Sequence, residues 1–114
     1  MIRIYHNTRC SKSRATLALL EQRGETVEVI HYLDTPPNTA ELTVLLKQLG
    51  MDARNLLRTG EPEYLTLGLA NPVLDDNALI AAMAAHPRLI ERPIVVANGK
   101  AVIGRPPEAA LTIL

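Results

Sequence analysis

The sequence predicts one α/β domain over residues 1–114, in which a βαβ unit is followed by a helical insertion over about residues 38–90, a β-hairpin and a C-terminal helix. Three observations predict this class. Two short β-prone segments flank one helical segment near the N-terminus, Pro36-Pro37 precedes a run of helical segments, and Asn98-Gly99 separates two apolar segments. A chain of 114 residues is long enough to enclose a single hydrophobic core.

The N-terminal elements form the βαβ unit. Residues 2–6 (IRIYH) alternate apolar and polar side chains, which predicts a strand, and residues 26–32 (TVEVIHY) predict a second strand because they are rich in β-branched residues. Between them, residues 11–23 predict a helix that stops at Gly24. One face of this helix carries Ala15, Ala18, Leu19 and Gln22, with Leu17 and Leu20 beside it. The connection favours a right-handed crossover and a parallel strand pair.

The remaining elements complete the pattern. Asn38 and Glu41 predict a capping box for a helix that runs through Leu49, and Asp75 or Asp76 opens an alanine-rich helix that ends before His86. Short helical pieces lie between these two helices. Asn98-Gly99 is the preferred pair for a type I′ hairpin turn, and residues 106–114 predict a last helix with proline in its first turn. The order of elements matches the thioredoxin-like plan.

The composition excludes several classes of function. Twelve basic and twelve acidic residues give a net charge of zero, so neither nucleic acid nor a membrane surface is an expected partner. One cysteine cannot form an internal disulfide, and the N-terminus has no signal-peptide pattern, so we expect a cytoplasmic protein. The three histidines lack the spacing of metal-ligand pairs, and no metal site is expected.

Cys10 is the candidate nucleophile. It lies where the first strand gives way to a helix, so the N–H groups and dipole of the first helical turn favour its thiolate form. Arg9, Lys12 and Arg14 add positive charge. The alternative is a buried and inert cysteine, but the polar flanks in NTRCSKSR favour an accessible one.

An oxyanion substrate would need arginines from other parts of the chain. The Cys-x5-Arg loop of tyrosine phosphatases would require arginine at position 16, which is Thr16. Arg58, Arg92 and Arg105 are the candidates, since each lies at a turn or a strand end and arginine binds oxyanions through paired hydrogen bonds. In a thioredoxin-like fold the residue before the strand-opening proline faces the cysteine, and Arg92-Pro93 would be a cis bond. Any one of these arginines alone is more often a solvated charge.

His6 ends the first strand, within reach of Cys10 if the loop folds back. It would stabilise the thiolate as imidazolium or orient the loop by hydrogen bonding, and a simple polar strand-end residue is the alternative. Glu61, Glu63 and Asp34 lack the pairing that acid–base chemistry needs, so we expect them to be surface or loop residues.

Four motifs, YHNTRCSKSR, LLRTGEPEY, ERPIVV and IGRPPE, closely resemble those of the glutathione- and glutaredoxin-coupled arsenate reductases, the thioredoxin-like ArsC family. The resemblance covers essentially the whole chain. It implies Cys10 as the nucleophile, Arg58, Arg92 and Arg105 as the arsenate-binding residues, and a match of His6 to a histidine near the active cysteine. Longer members of the family extend beyond the position of Leu114.

The resemblance also implies a mechanism for arsenic resistance. The thiolate attacks arsenate, glutathione then attacks the arsenic, and glutaredoxin resolves the glutathione adduct so that arsenite is released. Glutathione would be a co-substrate, no tightly bound cofactor is expected, and we expect a monomer. The lone cysteine agrees with this scheme, because a chain without a second thiol must take its reducing equivalents from outside.

Two alternatives stay open. The same fold family includes Spx-type transcription regulators, which bind RNA polymerase and would show a Cys-x-x-Cys pair or lack the three arginines. The segment CSKS also resembles a monothiol glutaredoxin site, which would indicate a general glutathione-dependent thiol oxidoreductase. That activity would leave the three arginines unexplained.

Overall fold

The computed structural model describes residues 2–114 and divides them into two compact units. The sheet unit comprises residues 2–35 and Arg92–Leu114, and the helical unit comprises Pro36–Glu91. The expectation of one domain over residues 1–114 stays a prediction. No helix among residues 2–114 is both long enough and apolar enough to cross a lipid bilayer.

The sheet unit contains four strands in the order β2-β1-β3-β4. Strand β1 pairs in parallel with β2 and antiparallel with β3, and β3 and β4 form the predicted hairpin. At the hairpin turn, Asn98 and Gly99 have φ values of 55° and 75°, the left-handed conformation that a type I′ turn requires. The bounds are β1 Ile2–His6, β2 Val27–His31, β3 Ile94–Ala97 and β4 Lys100–Ile103.

One face of the sheet is covered by helix α1 (Ser11–Gln22) and by a 3-10 helix over Pro107–Ile113. The last element was expected as a helix, and it adopts the tighter 3-10 form behind two consecutive prolines. Aliphatic side chains make up the core between these elements. The buried members are Ile2, Ile4, Leu20, Val95, Ala97 and Ala110.

The face of α1 that carries Ala15 and Ala18 is not its buried face. Ala15 and Ala18 are exposed, whereas Ser13, Thr16 and Leu20 are buried. The reason is that the two hydroxyl groups have hydrogen-bond partners inside the unit, so they are buried at low cost. Hydrophobicity alone therefore places the buried face on the wrong side of the helix.

The helical unit begins with the predicted capping box. The Asn38 side chain accepts from the Glu41 N–H and the Glu41 carboxylate accepts from the Asn38 N–H, while Gly50 ends the helix in the left-handed conformation. Asp75, and not Asp76, caps the alanine-rich helix by accepting from the Ala78 N–H. The helices are α2 Thr39–Leu49, α3 Ala53–Leu56, α4 Pro62–Thr66 and α5 Asp76–Ala85, followed by a 3-10 helix at Pro87–Leu89.

Candidate active site

Cys10 occupies the N-cap position of α1, directly after the loop that leaves β1. Its N–H donates to the Asn7 carbonyl at 3.1 Å, and its carbonyl accepts from the Arg14 N–H at 3.0 Å. The backbone N–H groups of Lys12 and Ser13, in the first helical turn, act on the thiol and lower its pKa. These are donors that a helix leaves unpaired at its N-terminal end, so α1 supplies them to the sulfur.

Cys10 is 6% exposed, so the expectation that its polar flanks keep it accessible is wrong. Its neighbours Arg9 and Lys12 are exposed, but the N-cap geometry turns the cysteine itself inward. Burial raises the pKa of the thiol. The Ser13 N–H, the charge of Arg92, the Lys12 N–H and the charge of Arg105 lower it, and together they outweigh burial. The thiol pKa therefore lies below its ordinary value, as a nucleophilic cysteine requires.

His6 is 5% exposed at the end of β1, and its Nδ1 lies 2.6 Å from the Ser13 Oγ. The Ser13 Oγ also accepts from the Asn7 N–H at 3.0 Å. Burial lowers the pKa of His6, and the charges of His31 and Arg14 lower it further. A lowered pKa disfavours imidazolium, and the first role expected of His6, which is to stabilise the thiolate, stays a prediction. Its hydrogen bond supports the second role, which is to orient the loop.

Ser13 is a site residue that the sequence reasoning missed. It is fully buried, its N–H lowers the pKa of the Cys10 thiol, and its hydroxyl is hydrogen-bonded to His6 and Asn7. In the sequence it marks only the absence of a second cysteine. Its position in the first turn of the predicted helix, three residues after Cys10, could have indicated that Ser13 faces the same loop.

Arg92 and Arg105 lie in the same unit as Cys10, and their charges act on its thiol. Each precedes a cis proline. The Arg92-Pro93 bond was expected to be cis, whereas the Arg105-Pro106 bond was not anticipated. Between them the Gly104 N–H donates to the Pro93 carbonyl at 2.9 Å. This hydrogen bond ties the segment of Arg105 to the segment of Arg92.

Gly104 also contacts α1 closely. A Cβ atom at this position would lie 2.6 Å from Thr16 Oγ1 and 2.9 Å from Pro93 Cγ. The Thr16 hydroxyl donates to the Lys12 carbonyl at 2.8 Å and lies 3.3 Å from the Gly104 carbonyl. Only glycine allows this approach, so Gly104 fixes the distance between the arginine segments and the helix that carries Cys10.

Arg58 belongs to the helical unit, where its N–H donates to the Leu89 carbonyl at 2.7 Å. Its side chain is bound by carboxylates: Nη1 lies 2.6 Å from Glu61 Oε1, and Nε lies 4.0 Å from Glu91 Oε1. Its convergence with Arg92 and Arg105 around Cys10 stays a prediction.

As expected of a surface or loop residue, Glu61 lies in the turn that precedes α4, but its side chain is mostly buried. Its side chain is 13% exposed and bridges two arginines, because its second oxygen lies 3.1 Å from Arg88 Nη2. Glu63 is also largely buried, at 3.9 Å from Arg88 Nη1. Among the carboxylates considered, Asp34 is exposed as expected. The Gly60-Glu61-Pro62 turn brings Glu61 back onto Arg58, which residue type alone does not reveal.

Among residues 2–114, no three His, Cys, Asp or Glu side chains are grouped so that they could hold a metal ion. The candidate site combines a thiol with a lowered pKa, backbone N–H groups and two arginine charges. This set of groups can attack an electrophilic centre and bind the negative charge that surrounds it.

Comparisons with known proteins agree with this arrangement. The ArsC family profile matches residues 5–113. An arsenate reductase of Neisseria meningitidis is 54% identical over 114 residues, which cover 99% of this chain and 97% of that protein. The Escherichia coli protein YfgD, described as uncharacterized, is 57% identical and is covered to 96% of its length.

A solved structure of an arsenate reductase from Vibrio cholerae superimposes with a TM-score of 0.97 at 55% identity. The match covers 99% of this chain and 97% of that one. The structural relatives confirm the predicted thioredoxin-like fold. Since the profile match and the similar sequences span nearly all residues, the chain belongs to the ArsC family.

Proposed function

We propose that the protein is an arsenate reductase, an oxidoreductase in which Cys10 attacks arsenate and thiols supply the electrons. The observation that carries the proposal is the lowered pKa of the Cys10 thiol at the N-terminal end of α1, which N–H groups of α1 and the charges of Arg92 and Arg105 produce. The same two charges suit an oxyanion substrate, because guanidinium groups bind oxyanions through paired, charge-assisted hydrogen bonds. The 54% identical relative that is named an arsenate reductase supports the choice of oxyanion.

The reaction begins when the Cys10 thiolate attacks arsenic(V). A sulfur–arsenic bond forms and one arsenate oxygen leaves as water. Arg92 and Arg105 bind the remaining oxygens, with Arg58 as the third arginine that the family motif assigns to this task. The backbone N–H groups of Lys12 and Ser13 keep the attacking sulfur in its anionic form.

Glutathione supplies the second thiol. Its thiolate bonds to the arsenic, and a second oxygen leaves as water. A glutaredoxin thiolate then attacks the glutathione sulfur, so the sulfur–arsenic bond breaks and its electron pair stays on arsenic, which becomes arsenic(III). Water hydrolyses the remaining bond to Cys10 and releases arsenite. Two thiols are oxidised to one disulfide, which balances the two electrons that arsenic gains.

We propose external thiols as the reductants because Cys10 is the only cysteine in the sequence. A free thiol is also typical of a reducing compartment, so we place the reaction in the cytoplasm and assign it to a monomer. His6 acts in this scheme as a positioning residue. Through its hydrogen bond to Ser13 it holds the helix turn whose N–H groups lower the thiol pKa.

The test is arsenite formation from arsenate with glutathione and glutaredoxin. Wild type should form arsenite, and Cys10→Ser should form none. Arg92→Lys should raise the KM for arsenate, because an ammonium group loses the fork geometry of guanidinium, whereas Arg23→Lys at the far end of α1 should not. Turnover in Cys10→Ser would overturn the mechanism. Absence of turnover in wild type, together with binding to RNA polymerase, would favour the regulator.

A further inference from the structure

A cavity of about 310 Å³ opens at the carboxyl ends of β1 and β2. We call it the β1–β2 cavity. The two strands are parallel and adjacent, so the loops that follow them meet at one edge of the sheet, where ligands of α/β proteins commonly bind. It is lined by His6, Asn7, Thr8, Arg9, His31, Leu33 and Asp34.

Hydrogen bonds fix both walls of the cavity. On the β1 side, the Arg9 N–H donates to Asn7 Oδ1 at 2.9 Å and the Arg14 guanidinium donates to the Thr8 carbonyl at 2.9 Å. On the β2 side, the N–H groups of Asp34 and Thr35 both donate to the His31 carbonyl at 3.0 Å. A ligand would therefore meet a site that is already formed, which lowers the entropy cost of binding.

The cavity presents charges of both signs. Arg9 carries a guanidinium and Asp34 a carboxylate, and within residues 2–114 neither side chain takes part in an ion pair. Their charges are thus available to a ligand. Arginine suits a carboxylate, and a carboxylate suits an ammonium group. The lining matches a small zwitterion that has both groups, and a volume of about 310 Å³ lies at the lower end of the range for small-molecule sites.

The cavity lies beside the nucleophile. Arg9 immediately precedes Cys10, and the Asn7 carbonyl accepts from the Cys10 N–H at 3.1 Å. The His6 and His31 rings, which line the cavity, meet edge to face with centroids 5.9 Å apart. A ligand held by Arg9 and Asp34 would therefore place a third group next to the loop that carries the reactive sulfur.

We infer that the β1–β2 cavity binds glutathione, with Arg9 bound to one of its carboxylates and Asp34 bound to its ammonium group. Glutathione carries two carboxylates, one ammonium and a thiol between them. The inference rests on the proposed function, because it assigns a place to the thiol co-substrate of that reaction. It adds Arg9 and Asp34 to the site, neither of which the family motif had assigned a role.

The test separates binding from turnover by using S-methylglutathione, whose capped sulfur cannot react. Titration of the full chain, followed by calorimetry and by amide NMR shifts, should show saturable binding with shifts at residues 7–9 and 31–34. Arg9→Gln and Asp34→Asn should each weaken affinity about tenfold, as loss of one charge-assisted hydrogen bond does. Arg23→Gln and Asp76→Asn are charge-matched controls and should bind like wild type.

Thermal unfolding of each variant checks that it is folded. No binding by wild type, wild-type affinity in both cavity variants, or shifts confined to other residues would overturn the cavity assignment. The arsenite assay reports separately on the proposed function. If both cavity variants form arsenite with an unchanged KM for glutathione, the cavity assignment is wrong and the proposed reductase function stands. If wild type binds S-methylglutathione at the cavity but forms no arsenite, the cavity assignment stands and the proposed function is wrong.

Discussion

The lowered pKa of the Cys10 thiol depends in part on groups that are distant in the sequence. The nearby Lys12 and Ser13 contribute through their backbone N–H groups, and Arg92 and Arg105 contribute charge from the opposite end of the chain. Basic residues flank the cysteine in the sequence, but the charges that lower its pKa belong to Arg92 and Arg105, each of which precedes a cis proline. Nothing in the local sequence indicates which arginines approach the sulfur.

We predict the order in which charge removal raises the thiol pKa. Arg92→Gln should raise it most, Arg105→Gln less, and Arg23→Gln not at all, because Arg92 exerts the larger charge effect and Arg23 lies at the other end of α1. The rate of alkylation by iodoacetamide against pH measures the midpoint for each variant. A wild-type midpoint at or above that of free cysteine would contradict the assignment of a reactive thiol.

His6 makes the stability of the fold depend on pH. Its pKa in the folded state is lowered, chiefly by burial, so the unfolded chain binds the proton more readily. Its contribution is fully present above the ordinary histidine pKa of about 6.5 and is lost as the pH falls from that value through the lower folded pKa.

Urea unfolding of wild type and His6→Gln between pH 8 and pH 5 tests this linkage. The difference in unfolding free energy between the two proteins should become smaller as the pH falls below about 6.5, because only wild type has this group to protonate. His86→Gln, which removes a different histidine, provides the comparison. A difference that stays constant over this range would show that His6 titrates as it does in the unfolded chain.

At the level of elements, the strands, the caps and the hairpin were predictable because each has a local cause. The Asn38 capping box and the Asn98-Gly99 turn are formed by residues within a few positions of one another. The buried face of α1 was not predictable, since Ser13 and Thr16 are buried only because distant segments contact them. The bridge from Glu61 to Arg58 and Arg88 was also missed, because Arg88 is distant in the sequence and the pairing with Arg58 needs the turn at Glu61.

The contact of Gly104 with α1 gives a prediction at this scale. Gly104→Ala should lower the free energy of unfolding by about 1–3 kcal/mol, because the added methyl group overlaps Thr16 and Pro93. It should also raise the Cys10 thiol pKa, since Arg105 is displaced with its neighbour.

Gly60→Ala is the matched control, because a Cβ there meets no atom within 4 Å. Urea unfolding should place it within about 0.5 kcal/mol of wild type. Equal free energies of unfolding for Gly104→Ala and Gly60→Ala would show that α1 and the Arg105 segment can move apart without loss of stability.

On the scale of the whole molecule, the four motifs of the family lie in both units: Cys10, Arg92 and Arg105 in the sheet unit and Arg58 in the helical unit. The sequence order of these motifs was sufficient to predict the family. It was not sufficient to predict the partners of Arg58, because those carboxylates are specified by the turn around Glu61 rather than by the motif arginine itself.

The balanced charge of the chain predicts its solubility. With twelve residues of each sign and an isoelectric point of about 6.8, repulsion between molecules is weakest near neutral pH. Precipitation by polyethylene glycol should need least polymer near pH 6.8. Arg23→Glu changes the net charge by two at an exposed position, so the minimum should move to lower pH. A minimum that does not move would mean that a local patch controls association.

The single thiol, at the N-terminal end of α1, also makes the reaction observable by mass spectrometry. Any covalent species formed at a thiol of this chain must be attached to Cys10, so its position never has to be mapped. An intact-mass spectrum of a quenched reaction would therefore resolve each sulfur-bound species by its mass alone. The fraction of each Cys10-bound species over time then gives the order of the reaction steps without any added label.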